Sequence, residues 1–431
     1  MAHKIMLIIV FIRSFMQARF RHFKTRKQLK KWQKKNFIKF QQQVLLYSEY
    51  YTQYRHEALS KYPVLNKKEH MAAFNQINTG KLDREQALSI AICAEDNRDF
   101  KGKYGRFSVG LSSGTSGSRG LFVTSDKERA EWAGYIVGKM LPIGMYRHRI
   151  AFFLRANNNL YETVNSFFIG FQFFDLIRPL TLHIKNLNKL NPTVLIAPAQ
   201  VLVALAKLSN DELKIKPLKI ISVAEVLENH DREIIERRFN QLVHQIYQCT
   251  EGFLGATCSA GNLHLNEDIT IIEKQWVDKA SGRFVPIVTD IRRSTQPVVR
   301  YRLDDILIED DALCPCGSAM TRLKAIEGRC DDVLQLTSLS GAKQDIYPDF
   351  IRNRIIASHK DLQDYQVTQL KNEILQVNIR PYNEQLKDAI IKKLSVLWEE
   401  IGVNVPVYEF NSLDDKVSMV KKRRVSRADC G

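Results

Sequence analysis

Apolar positions recur at close to helical spacing through Leu29, Trp32, Phe37, Phe40, Val44, Leu45 and Tyr47, set among Lys, Gln and Arg. This pattern predicts one long helix over Thr25 to Tyr54. A break at Tyr62-Pro63-Val64-Leu65 precedes a shorter helix from Lys67 to about Asn75, which Asn78-Thr79-Gly80 ends, and Leu82 to Ala94 reads as another helix. Helix-like and strand-like runs then alternate. Asp126 to Leu141 is helical, Arg149 to Leu154 and Val194 to Ile196 are strands, and Pro198 to Leu208 is a helix. Leu218 to Val223 is a strand, Asn229 to Asn240 a helix, and Leu242 to Ile246 strand-like. Such alternation argues for an α/β fold with a largely parallel sheet.

After Glu251 the period shortens to strands at Ile269 to Ile272, Phe284 to Val288 and Val298 to Tyr301, a β-rich section. Beyond Asp331 come strands Gln366 to Leu370 and Ile374 to Ile379, a helix Asn383 to Glu400, and a strand near Val405 to Phe410: a small α+β domain. The expected organisation is a helical region, residues 1–80, belonging to a large domain that continues over 81–330, and a small mobile C-terminal domain, 331–431. The boundary falls at Gly328-Arg329-Cys330-Asp331-Asp332.

At the N-terminus Ile5 to Ile12 are all apolar, but the run is too short to span a bilayer and Arg13 interrupts it. No small-residue cleavage site follows and basic helix is expected to continue straight on, which argues against a signal peptide. A helix lying on a membrane surface stays open. The chain has 431 residues, 45% of them hydrophobic, enough for two or more domains. Lys+Arg exceeds Asp+Glu by 64 to 47, concentrated at Arg19 to Lys39 and Lys421 to Arg427, which favours anionic partners. Seven cysteines without an even framework point to a reducing cytoplasm, with peripheral contact at the inner membrane face as the variant. Oligomeric state is not legible.

Between strand-like Phe107 to Val109 and Leu121 to Thr124 lies Ser112-Ser113-Gly114-Thr115-Ser116-Gly117-Ser118-Arg119-Gly120. Glycines let backbone N–H groups converge on an anion, hydroxyls add donors and Arg119 adds charge, so the loop suits polyphosphate. It is not a Walker A, because no Gly-Lys-Ser/Thr closes it, and a Ser/Gly-rich hairpin is the alternative. Tyr247-Gln248-Cys249-Thr250-Glu251-Gly252 is expected to emerge from a strand's carboxyl end, where open α/β sheets bind ligands. Tyr247 suits a base, Thr250 a phosphate oxygen and Glu251 a Mg²⁺ ion. Pro297 to Asp305 ends a basic strand in carboxylates suited to ribose hydroxyls, Arg329 offers a guanidinium, and Lys421-Lys422-Arg423-Arg424 lies in the small domain or forms a loose basic tail.

These stretches, in this order, resemble the adenylate-forming superfamily, most closely its phenylacetate–coenzyme A ligase-like branch and the deazaflavin-coenzyme adenylating synthetase-related group within it. The resemblance runs from Ser112 to Asp332 and, more weakly, to the C-terminus. It implies a large N-terminal adenylate-forming domain with parallel-rich sheets and a small α+β C-terminal domain. It also implies ATP- and Mg²⁺-dependent adenylation of a small-molecule carboxylic acid, aryl or fatty, with release of pyrophosphate. The acyl group would then pass to coenzyme A as co-substrate or to a carrier protein's thiol. Ser112, Ser113, Gly114, Thr115, Ser116, Gly117 and Arg119 would hold the β- and γ-phosphates. Tyr247 would stack on adenine beside the turn Ala224-Glu225, Thr250 would meet the α-phosphate and Glu251 would ligate Mg²⁺. Asp305 and Arg329 would contact ribose, Asp331 would be the hinge, and Lys422, or Lys421, the mobile catalytic cation. Two departures from the branch stand out: Ser118-Arg119 replaces its usual Lys-Pro, and Leu303-Asp304-Asp305 its Thr-Gly-Asp.

Cys314-Pro315-Cys316-Gly317 is a C-x-C knuckle, and with Cys258 and His264 upstream it supplies three thiolates and an imidazole for a structural zinc site. The alternative is two exposed thiols and an unrelated buried pair. Phe152, Phe153, Phe167, Phe168, Phe171, Phe173 and Phe174 crowd the section where the resemblance places the acyl pocket, although plain core is the stronger reading of such a run. Two other function classes compete: AMP transfer to a hydroxyl of a coenzyme-like acceptor, and a noncatalytic nucleotide-binding or membrane-associated scaffold. A nucleic-acid-binding role lacks any recognition motif.

Overall fold

The computed structural model describes residues 2–97, 102–111, 120–142, 144, 147–154, 169–329, 332–359, 361–413 and 423–428. The chain divides into two compact units, Met1–Leu303 with Ile308–Ala325, and Asp304–Leu307 with Ile326–Gly431.

The large unit opens with α1 (Ala2–Phe20), α2 (Arg26–Gln43), α3 (Lys67–Ala72), α4 (Phe74–Ile77) and α5 (Arg84–Asp96). The expected continuous helix from the apolar run into the basic one does not form. The chain leaves helical geometry at 21–25, and Thr25 restarts it by accepting from the backbone N–H of Gln28 at 3.3 Å. Nor does α2 reach Tyr54. Tyr51 and Tyr62 are buried, with Tyr62 5.7 Å from the Phe37 ring, and short 3₁₀ turns at Leu45–Tyr47 and Thr52–Tyr54 fold the chain back to seat them. The next expected helix is split at Ala73 into α3 and α4, and α3 is started by a capping box of Asn66 and Glu69.

Strands β1 (Lys103–Tyr104), β2 (Phe107–Leu111) and β3 (Leu121–Thr124) form an antiparallel sheet, paired Leu111 to Leu121 at the end where the Ser/Gly loop departs. Helix α6 (Asp126–Met140) follows from a second capping box, Ser125 and Glu128. It packs across α1 with backbones nearly touching: a Cβ on Gly134 would lie 2.2 Å from the Phe11 carbonyl oxygen, and one on Gly138 2.7 Å from that of Phe15. Ser14 and Ala18 are the buried small residues facing them.

The α/β section then runs β4 (His148–Leu154), β5 (Ile169–Asp175), α7 (Thr181–Leu190), β6 (Val194–Ala197), α8 (Ala199–Ala206), β7 (Lys219–Ser222), α9 (Asn229–Phe239) and β8 (Val243–Cys249). Its strands are parallel in the order β5-β4-β6-β7-β8. The sequence reading missed β5 and α7, although Ile169, Phe171 and Phe173 alternate with Gly170 and Gln172 along β5 until Phe174 breaks the period. Phe153 and Phe174 stack with centroids 4.6 Å apart in one core, and Phe152 meets Phe171 at 5.4 Å on the opposite face of the sheet, so the four side chains pack as two pairs. Phe167 and Phe168 lie outside the described residues.

Antiparallel strands extend the sheet: β9 (Gly252–Thr257), β10 (Leu263–Leu265), β11 (Thr270–Asp278), β12 (Arg283–Asp290), β13 (Val298–Arg302), β14 (Asp305–Asp310) and β15 (Arg322–Arg329). The strand order is β11-β12-β14-β15-β10-β9-β8-β7-β6-β4-β5, with β13 paired to β12. Strands β14 and β15 carry the chain from one unit into the other.

The small unit contains β16 (Leu334–Thr337), β17 (Lys343–Ile346), α10 (Pro348–Ile356), β18 (Asp364–Gln369), β19 (Leu375–Arg380), α11 (Glu384–Ile401), β20 (Tyr408–Ser412) and β21 (Val425–Arg427). A sheet ordered β20-β19-β18-β21 is covered by α11, which buries Leu386, Ile390, Leu394, Leu397 and Trp398 at helical spacing. Instead of a loose basic tail at this point, Val425–Arg427 pairs in parallel with β18. The α/β class with a parallel-rich large sheet is therefore as the sequence leads one to expect. Among the described residues no helix is long and apolar enough to cross a membrane.

Candidate active site and metal centre

The parallel strands β6 and β7 end at the same level, Ala197 against Ser222, whereas β8 pairs with Ser222 at Gln245 and runs on to Cys249. Pro198, Ala224-Glu225 and, further along, Thr250-Glu251 each follow the carboxyl end of one of these strands, the ligand-binding edge of an open α/β fold. Ala224 stands at φ 65, the left-handed region where a side chain is strained. The turn is held from both sides: Val223 N–H donates to the Ala197 carbonyl at 3.1 Å, and the Glu225 carboxylate accepts from the Gln200 side chain at 2.6 Å.

Tyr247 does not emerge beyond the strand as the sequence suggests. Pairing of β8 with β9 runs through Tyr247 to Gly255 and Cys249 to Gly252, so β8 extends three residues past Ile246 and Tyr247 is buried within it. Thr250 and Glu251 form the turn between the two strands. The Thr250 hydroxyl donates to a Glu251 carboxylate oxygen at 2.8 Å. His70, the buried residue of α3, lies within electrostatic reach of Glu251. Burial lowers its pKa and keeps it neutral, while its Nε2 meets the Pro297 carbonyl oxygen at 3.1 Å.

Sequence reasoning missed Arg293. Its guanidinium donates to the Thr250 carbonyl at 3.0 Å and to the Val123 carbonyl at 3.4 Å, tying the Glu251 turn to the strand that returns from the Ser/Gly loop. Gln296 reinforces that strand through Val123 N–H at 2.9 Å and the Leu121 carbonyl at 3.1 Å, while Glu128 accepts from the backbone of Ser294 and Thr295. The only signal in the sequence was the Arg292-Arg293 pair directly after a buried strand. Ser112, Ser113, Gly114, Thr115, Ser116, Gly117 and Arg119 lie outside the described residues, as do Asp331, Lys421 and Lys422.

In the small unit Arg329 pairs with Asp304 at 3.2 Å. The Arg329 backbone N–H donates to Asp332 at 3.0 Å, and Asp332 also pairs with Arg423 at 3.3 Å. The chain neighbours of Asp331 and Lys422 are thus in contact.

Cys258 follows β9, His264 sits on β10, and Cys314 and Cys316 occupy the loop between β14 and β15. Their four ligand atoms all lie within 4.8 Å of one another. The Cys258 and Cys314 sulfurs are 3.7 Å apart, and Cys316 Sγ is 3.5 Å from His264 Nε2. A tetrahedron with Zn–S of about 2.3 Å and Zn–N of about 2.0–2.1 Å has edges of about 3.8 and 3.5 Å, so the residues fit zinc. His264 Nδ1 is engaged by the Met320 carbonyl at 3.0 Å, which leaves Nε2 as the ligand atom. Burial opposes ionisation of Cys314, but the Cys316 backbone N–H and His264 outweigh it and hold that thiol at about 6. Cys316 moves the other way, to about 12, through burial and the adjoining Cys314 and Cys258 sulfurs. Such a cluster calls for a cation at its centre. Arg26, in a two-pronged bond to buried Glu267, fastens α2 beside it.

No known protein-family profile matches the chain. A 223-residue segment, 50% of the chain, is 28% identical to Protein CapK of Staphylococcus aureus and spans 48% of that protein, about half its length. A 2-hydroxyisobutyryl-CoA ligase, solved in the postadenylation state with its acyl-adenylate, superposes over 93% of this chain and 88% of its own with a TM-score of 0.65 at 14% identity. A benzoate CoA ligase from Burkholderia xenovorans covers 74% of this chain and 68% of its own, with a TM-score of 0.53 at 13% identity. The chain has the fold of these adenylate-forming ligases.

Proposed function

We propose that the protein uses ATP and Mg²⁺ to adenylate a carboxylic acid, releasing pyrophosphate, and passes the acyl group to coenzyme A or a carrier thiol. The observation that carries this reading is a fold shared over 93% of the chain with an acid–CoA ligase, in which Ala224-Glu225 and Thr250-Glu251 each follow the carboxyl end of a parallel strand. The carboxylate attacks the α-phosphorus and pyrophosphate leaves. Two anions meet in that step, so positioned cations and hydrogen-bond donors supply most of the stabilisation. Thr250 meets the α-phosphate and Glu251 holds Mg²⁺, which spreads the charge of the leaving group. The Ser112 to Arg119 loop holds the terminal phosphates, Tyr247 lines the adenine side, Asp305 and Arg329 serve the ribose, and Lys422 on the small domain, hinged at Asp331, supplies a mobile cation. Cys258, His264, Cys314 and Cys316 hold a structural zinc ion: four protein ligands leave no open position for chemistry.

The test is ATP–pyrophosphate exchange with a panel of aryl and fatty acids, run with Lys422→Ala and Lys421→Ala. Acid-dependent exchange lost in one variant supports adenylation and identifies the lysine. ATP binding without exchange, or AMP retained on a hydroxyl product, overturns it.

A further inference from the structure

Helix α1 is apolar on two opposite faces. One face, through Phe11, Ser14, Phe15 and Ala18, is seated on α6. The other carries Ile5, Ile8, Ile9, Ile12, Met16 and Phe20 at 51, 58, 60, 53, 49 and 69% exposure. Their spacing of three and four residues aligns them in one stripe along the helix. Scattered exposed apolar residues need no explanation, but a continuous stripe does.

Charge says what covers it. Arg13 is exposed at the edge of the stripe at 100° per residue, Lys4 is exposed in the first turn, and α2 follows with exposed Lys30, Lys31, Lys34 and Lys35. At the end of α1, Arg19 faces a second cation, Lys219, whose ammonium is held down to about 8 by burial and by Arg19. A second copy of the chain is a poor partner. The helix offers ~28 Å by ~10 Å, about 300 Å², against about 800 Å² per partner in a stable complex, and self-pairing would bring the exposed cations together.

We propose that the outer face of α1 docks on an anionic bilayer surface, its isoleucine stripe at the headgroup boundary and Lys4 and Arg13 on acidic lipid phosphates. The helix lies in the plane of the membrane, because its inner face is already committed to α6. The surface is independent of the catalytic reading.

Co-sedimentation of the full chain with phosphatidylcholine vesicles, with and without phosphatidylglycerol, tests this. Binding should be about 30-fold tighter on the anionic vesicles, Lys4 and Arg13 both contributing, and fall with salt. Ile8→Glu/Ile9→Glu/Ile12→Glu should abolish binding, and Arg13→Glu should weaken the lipid preference, both with unchanged thermal unfolding because these side chains point away from α6. Equal binding by the triple variant, absence of binding by the parent chain, or a dimer that the triple variant dissociates would each overturn it, the last assigning the stripe to a second copy.

Discussion

Gly134→Ala tests whether α1 is seated on α6 as described. The new methyl carbon would fall 2.2 Å from the Phe11 carbonyl oxygen and 3.0 Å from its carbonyl carbon. Both are backbone atoms, which no rotamer change can move aside. A carbon–oxygen contact needs about 3.3 Å, so α1 must retreat by about 1 Å along the crossing. Overpacking of this kind costs about 1–3 kcal/mol, and replacing a helical glycine by alanine returns about 1 kcal/mol. The net expectation is a loss of up to about 2 kcal/mol. Gly138→Ala should cost less, since its obstruction stands at 2.7 Å from the Phe15 carbonyl oxygen. Urea unfolding gives the energy, and amide hydrogen exchange resolved to Ala2–Phe20 gives the place: protection should fall in α1 and α6 first. A variant more stable by about 1 kcal/mol, the behaviour of an exposed helical glycine, would refute the close crossing.

Three further outcomes are expected. The purified protein should carry one zinc per chain by elemental analysis, and Cys314→Ser should lose it together with several degrees of thermal stability; a chain that neither carries nor takes up zinc rejects the site. Arg293→Ala should slow ATP–pyrophosphate exchange about 10- to 100-fold, the range for losing hydrogen bonds from a charged donor worth about 1.5–3 kcal/mol, and unchanged exchange in a folded variant removes Arg293 from the site. His244 is held down to about 4, chiefly by burial and then by Lys219 and Arg232. Because the unfolded chain protonates it near pH 6.5, the parent protein should lose stability relative to His244→Gln as pH falls from 6.5 towards 4, by about 2–3 kcal/mol; parallel stability curves for the two proteins contradict this. The variant comparison is needed because buried Asp290, raised to about 6 by desolvation, works in the opposite direction across the same window.

Where side chains alternate cleanly or a cap is written into the chain, the sequence was readable. Helix α11 shows Leu386, Ile390, Leu394 and Leu397 on one face with Asn383 as its cap, and strands β4, β6, β7 and β8 of the parallel section appear within a few residues of their expected ends. Tertiary demands decided the rest. Burial of Tyr51 and Tyr62 stops α2 early, and the pull of β9 keeps Tyr247 inside a strand. The zinc ligands were legible from residue type, but not the 3.7 and 3.5 Å spacings that fit a tetrahedron. Arg293 was invisible because its role lies in reaching two backbone carbonyls 43 and 170 residues earlier in the chain, and no local pattern records that. The isoleucine run was seen as one block, and only its packing on α6 divides it into a committed face and an exposed one.

Strand β9 joins Glu251 at one end to Cys258 at the other through six residues, all buried, a rod of about 20 Å at about 3.3 Å per residue. It is hydrogen-bonded on both sides, to β8 and to β10. Adding or deleting one residue would turn every side chain beyond that point to the opposite face, moving either the acidic turn or the cysteine off its mark. Its length should therefore be held constant as the gene drifts: substitutions of similar volume can accumulate along it, while insertions and deletions will be confined to the exposed loops outside.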